Sequence, residues 1–156
     1  MYKRQTLKFE KIIEDLTFND QIYQDVVDEI NGTYRHYYFN SMYILIRKLL
    51  ENLVYDCLNK YYGPSKIKLY YNTGENRHHG FGTLIENFNI LIKEMNFKTS
   101  VGDIEQKIID WLKNFQEKGN KNAHSLFSLA HQEQVEENKD KINELIKKLI
   151  YIKEKL

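Results

Sequence analysis

The sequence is poor in residues that break or staple a chain. Among 156 residues there are one proline, seven glycines and one cysteine. So little Gly and Pro leaves few sites for the tight turns of an all-β chain. The lone Cys57 excludes an intrachain disulfide, and its place in an apolar helical row makes it a small buried hydrophobe. Net charge is nearly absent as well, because 23 basic residues against 22 acidic ones give +1. That balance lacks the broad basic footprint of a general nucleic-acid or membrane-surface binder and leaves room only for a local patch. No apolar run is long enough to span a bilayer, and Met1 to Glu10 has no apolar core of a signal peptide. A cytoplasmic protein without membrane association is therefore expected. The P-loop, GxGxxG, HExxH, GxSxG and paired CxxC patterns are also missing, as are repeats, low-complexity tracts and linkers. No cofactor or metal is expected.

What is present suits a globular chain. Hydrophobic residues make up 42% and charged residues 29%, enough apolar material for a core in a single domain spanning residues 1–156. The apolar positions recur at helical spacing almost throughout. Phe9, Ile12, Ile13 and Leu16 form a first stripe. Thr17 with Asp20 resembles a capping box that starts a second helix, with Ile22, Val26, Val27 and Ile30 inward and Gly32 ending or bending it. A long central helix is predicted from about Tyr34 to Tyr62 and is stopped by Gly63-Pro64. Residues 66–82 are the least regular, and the alternation of Ile67, Leu69 and Tyr71 allows a short extended piece. Thr83 with Glu86, and Ser100 with Asp103, read as capping boxes for two further helices. Their stripes run from Leu84 to Met95 and from Ile104 to Phe115. A last helix starts near Gln132 and turns Ile142, Leu145, Ile146, Leu149 and either Tyr151 or Ile152 inward. The fold class is all-α, an up-and-down bundle of about five to six helices joined by short loops.

Three spots bear on chemistry. His78-His79 is a tempting metal pair, but adjacent side chains diverge and no third ligand sits one helical turn away, so a polar loop is the better reading. Arg47 and Glu51 stand four residues apart on the long helix, which by itself predicts only a surface ion pair of about 0.2–0.5 kcal/mol. Arg47, however, continues the row of Tyr43, Leu50 and Val54 that flanks the core, so a half-buried guanidinium with specific partners is expected. The third spot is the run Lys118-Gly119-Asn120-Lys121-Asn122-Ala123-His124. Gly119 and Asn120 tolerate left-handed backbone and are expected to cap or turn the helix there, with Lys118 near its negative end. Capping leaves His124 unexplained, and the small Ala123 before it would let a neighbouring backbone approach.

Taken together, Arg47-Lys48-Leu49-Leu50-Glu51 and the later Gly119-Asn120-Lys121-Asn122-Ala123-His124 resemble the paired motifs of the HEPN superfamily, in particular the uncharacterised HEPN-like domains of prokaryotic defence proteins. With the helices around them, the resemblance covers most of the chain. It implies a four- to five-helix up-and-down bundle, often a homodimer. Many HEPN proteins are metal-independent ribonucleases whose motif places an Arg four to six residues before a His. There a neutral His moves the proton of a hydroxyl and a cation stabilises charge on the transferring phosphate. By that resemblance His124, Lys118 and Asn120 are the candidate catalytic residues, and Arg47, Glu51, Gly119 and Asn122 the candidate binding residues. The chain departs from the motif at one point, since Gly119 occupies the Arg position and Lys118 is the nearest preceding cation.

Three readings follow. The chain is a dimeric HEPN-like module that binds a nucleotide, an RNA or a partner protein; a ribonuclease using His124 with Lys118 or Arg47; or a purely structural bundle in which Gly119 is a cap. The stretch Tyr34, Tyr37, Tyr38, Phe39 holds more aromatic surface than one helix face can bury, which favours the homodimer.

Overall fold

The computed structural model describes residues 5–16, 18–124 and 130–156, with backbone alone at residue 124. Among the described residues the fold is all-α apart from one hairpin of two two-residue strands. Its elements are α1 (Gln21–Arg35), α2 (Phe39–Tyr62), a 3₁₀ segment (Pro64–Leu69), β1 (Tyr71–Asn72), β2 (Arg77–His78), α3 (Phe81–Leu91), α4 (Met95–Val101), α5 (Gln106–His124), α6 (Gln132–Glu137) and α7 (Lys139–Lys155). Among the described residues no helix is long and apolar enough to cross a membrane.

The contacts gather into two compact units. Unit 1 comprises Met1–Leu49 and Glu117–Glu144; unit 2 comprises Leu50–Gln116 and Leu145–Leu156. The core of unit 1 is built on Val27, Ile30 and Tyr34 of α1 and Met42, Tyr43 and Ile46 of α2, with Ile142 of α7. In unit 2, Leu53, Val54 and Leu58 of α2 are buried, as are Leu84 and Phe88 of α3, Phe97 of α4 and Leu112 and Phe115 of α5. The final stripe resolves to Leu145, Ile146, Leu149 and Ile152, while Tyr151 is 41% exposed. Cys57 is buried as expected. Its thiol donates to the Leu149 carbonyl at 3.7 Å, and burial first, then the nearby Asp56 charge, push its pKa up to about 12.

The helix boundaries differ from expectation for local reasons. No helix forms over Phe9–Leu16. Ile12 and Ile13 are buried, but their backbone N–H groups both donate to Asn31 Oδ1, at 3.0 and 2.9 Å, and Asn31 Nδ2 donates to the Ile13 carbonyl at 3.0 Å. Asn143 acts likewise from α7: its Oδ1 accepts from Glu14 N at 3.0 Å and its Nδ2 donates to the Ile12 carbonyl at 2.8 Å. Side chains thus supply the partners that helical carbonyls would have supplied. Thr17 lies outside the described residues. Asp20, expected inside a capping box, is itself the N-cap of α1, accepting from Ile22 N at 2.9 Å.

The long helix breaks at residues 36–38, beyond Gly32, which is an ordinary helical residue of α1. Tyr38 N donates to the Thr33 carbonyl at 2.8 Å and Tyr37 N to the Tyr34 carbonyl at 3.0 Å, while Tyr37 has φ +63°. These two bonds are the pair that closes a helix when its C′ residue is left-handed, a position usually held by glycine. Thr83 and Ser100 are not caps. Thr83 lies inside α3, which starts from Gly80, and Ser100 lies inside α4, which ends at Gly102. Met95, assigned to the α3 stripe, opens α4 and is 78% exposed. The last helix is divided at Asn138 into α6 and α7.

Gly63 stops α2 as expected, with φ +65° and ψ −169°. Residues with a Cβ avoid that conformation. Gly63→Ala is expected to destabilise the chain by about 1 kcal/mol or more, read as a lower midpoint in thermal denaturation. An unchanged midpoint would show that the backbone relaxes there without strain.

Candidate functional site

Gly119 does not break its helix. It is buried in the interior of α5, which continues through Asn120 to His124, so the capping role expected for Gly119 and Asn120 is corrected. The reason for glycine is space. A Cβ built on Gly119 would lie 2.6 Å from both Cβ and Cδ of Arg47 and 3.0 Å from its Cγ. Helix α5 therefore passes so close to α2 that the aliphatic stem of Arg47 occupies the place of a side chain at Gly119. The close approach that Ala123 was expected to permit falls on Gly119 instead, and Ala123 is exposed.

The seat on Gly119 fixes the arginine. Arg47 is half-buried, as its row predicted, and its Nε is buried. One turn earlier on α2, Tyr43 is buried, and its hydroxyl accepts from Asn138 Nδ2 at 3.1 Å. Burial raises the Tyr43 pKa, partly offset by that hydrogen bond, so this phenol stays neutral. Lys118, adjacent to Gly119, is half-buried and holds its Nζ 5.5 Å from the centre of the Tyr43 ring. Its pKa is lowered, first by burial and then by the charges of Lys141 and Lys121. Within unit 1 the Lys118 amine thus feels the charges of Lys121 on α5 and Lys141 on α7, and Lys118 adjoins the Gly119 on which the Arg47 stem of α2 rests.

The remaining candidates are placed as follows. Asn120 is exposed and Asn122 half-buried on the same stretch of α5. The side chain of His124 lies outside the described residues. Glu51 belongs to unit 2, where its carboxylate is 3.9 Å from His78 Nδ1. His78 Nδ1 also contacts the His79 carbonyl at 2.7 Å, and His79 Nε2 contacts the Lys68 carbonyl at 2.6 Å. A carbonyl only accepts, so both ring nitrogens carry hydrogen, and the histidine pair ties the hairpin loop together. Among the described residues no group of three or more His, Cys, Asp or Glu is arranged to hold a metal ion.

Sequence reasoning missed Tyr43 as a site residue, along with Asn138 and Lys141. Tyr43 carried a signal, being one turn from Arg47 on the same face. Lys141 carried none, since it is one of several lysines on α7. No protein-family model, no curated protein and no solved structure matches this chain.

Proposed function

We propose that the chain is a HEPN-like, dimeric binding module of the cytoplasm whose ligand carries phosphate, a nucleotide or an RNA, held at Arg47 and Lys118. The observation that carries this reading is the seat of Arg47 on Gly119, which puts the two motif halves in contact. A guanidinium with a fixed stem can present its planar fork to phosphate oxygens without first losing side-chain freedom. The amine of Lys118 stands in an environment made unfavourable by burial and by two like charges. A bound phosphate relieves that repulsion, so the anion and the charged amine stabilise each other. The depletion of broad positive charge fits a local site better than a long nucleic-acid track.

The test is binding of a fluorescein-labelled single-stranded oligoribonucleotide, read by anisotropy. Arg47→Ala and Lys118→Ala are each expected to weaken binding by about ten- to a hundredfold, the size of a lost hydrogen bond to a charged group. Affinity should also fall as pH rises, beginning below the ordinary lysine range, because the lowered Lys118 pKa discharges the amine early. Light scattering on the same sample reads the homodimer. Wild-type affinity in both variants, with no such pH dependence, would refute the site. Cleavage of the RNA that is lost in His124→Ala would assign the ribonuclease reading instead.

A further inference from the structure

The stretch before α1 is held as a peptide ligand is held. Within unit 1 its backbone is read by side chains: Asn31 and Asn143 take the amides of Ile12, Ile13 and Glu14 and return hydrogen bonds to the Ile12 and Ile13 carbonyls. Tyr34 Oη accepts from Phe9 N at 3.2 Å and itself donates to Glu136 at 2.6 Å, and Glu136 also accepts from Lys8 N. Among the described residues no backbone-to-backbone bond joins residues 5–16 to a helix. Two apolar anchors accompany this pattern, Ile12 at 0% and Ile13 at 2% exposure, and Lys139 Nζ pairs with Glu14 at 3.0 Å. Backbone recognition plus pockets for adjacent side chains is how grooves capture extended peptides.

We infer that α1, α6 and α7 of unit 1 form a receptor for an extended peptide, and that Phe9–Glu14 is its ligand, captured here from the same chain and also from a second copy when two chains meet. Among the described residues, none of these contacts involves the residues that join ligand to receptor. That join begins at Asp15, a non-glycine residue at φ +56°, and its described residues, 15, 16 and 18–20, are not helical. A left-handed aspartate costs free energy in the closed form that an opened segment recovers. Because ligand and receptor are encoded in one sequence, any two copies are complementary, the condition for segment exchange. Covalent attachment gives the same-chain arrangement a millimolar-scale effective concentration, so exchange grows with protein concentration. This inference is independent of the phosphate site.

The experiment uses the full chain carrying Ile12→Asp and Ile13→Asp, which cannot seat its own segment. The probe is a fluorescein-labelled synthetic peptide of residues 5–16. Saturable binding is expected, at least about tenfold weaker to the wild-type chain, whose receptor is filled, and abolished by adding Asn31→Ala. Absence of binding to the double variant overturns the proposal. So does loss of its helical circular dichroism, because the segment would then be part of the core and no ligand. For exchange, an affinity-tagged double variant is mixed with the full-length Asn31→Ala chain, which has an intact segment and a damaged receptor. Co-retention is expected in that mixture and not between two copies of the double variant. Peptide binding without co-retention would overturn capture from a second copy.

Discussion

Replacing Asn31 by alanine is expected to release the Phe9–Glu14 stretch from α1. Asn31 is 4% exposed and makes three hydrogen bonds to the backbone of Ile12 and Ile13. If the stretch stayed in place, two amides and one carbonyl would be left buried without partners, at about 1–3 kcal/mol each. Water can satisfy all three if the stretch lifts away, so release is the cheaper response and sets the upper limit of the loss. Amide exchange of Ile12 and Ile13 reads this directly, with an expected acceleration of about a hundred- to a thousandfold, equivalent to about 3–4 kcal/mol. Asn31→Asp should fall between the two, since a carboxylate accepts both amides but cannot donate to the Ile13 carbonyl. Unchanged exchange in Asn31→Ala would mean that Asn143 and the buried isoleucines suffice.

The second large effect is expected at Gly119. In an ordinary helix interior, alanine for glycine gains about 1 kcal/mol. Here the added carbon meets Arg47 at its rigid end, where Cβ cannot swing aside. Gly119→Ala is therefore expected to lower stability despite its better helix propensity, and Gly119→Leu to cost about 3 kcal/mol, the upper range for overpacking. Arg47→Ala should rescue only part of this, because it removes Cγ and Cδ and leaves Cβ. A double-mutant cycle measures the difference as a coupling of about 0.5–3 kcal/mol. A Gly119→Ala chain more stable than its parent would contradict the close approach.

These two residues also mark where sequence reasoning stops. The apolar stripes were legible because burial in a helical chain imposes a period, and Ile46, Leu53, Phe88, Phe115 and Leu149 are all buried as their spacing requires. The stop at Gly63-Pro64 was legible because both residues act on their own backbone. The capping boxes failed because Thr83 and Ser100 fit the pattern but lie in helices that start earlier. Tyr37 was illegible, since nothing local marks a tyrosine for left-handed backbone. Asn31 was illegible for another reason: its partners lie 18 and 19 residues away, and a buried amide looks like any other asparagine until the chain is folded. At the site, Arg47 and Gly119 were recognised as a pair by motif, while the cause of the pairing, a helix crossing with room for one side chain, exists only in three dimensions.

The division into two units has a consequence for how such a chain can be rearranged. Each unit is drawn from two stretches that are far apart in sequence, and α2, α5 and α7 each supply residues to both. No single truncation lifts out either unit whole. A recombination event that replaced only the interval between Leu50 and Gln116 would keep both stretches of unit 1, Arg47 and Gly119 included, but would strand Leu145–Leu156 with a foreign neighbour. Inheritance of either unit by another protein therefore requires three coordinated crossovers, with the cuts falling inside α2, α5 and α7.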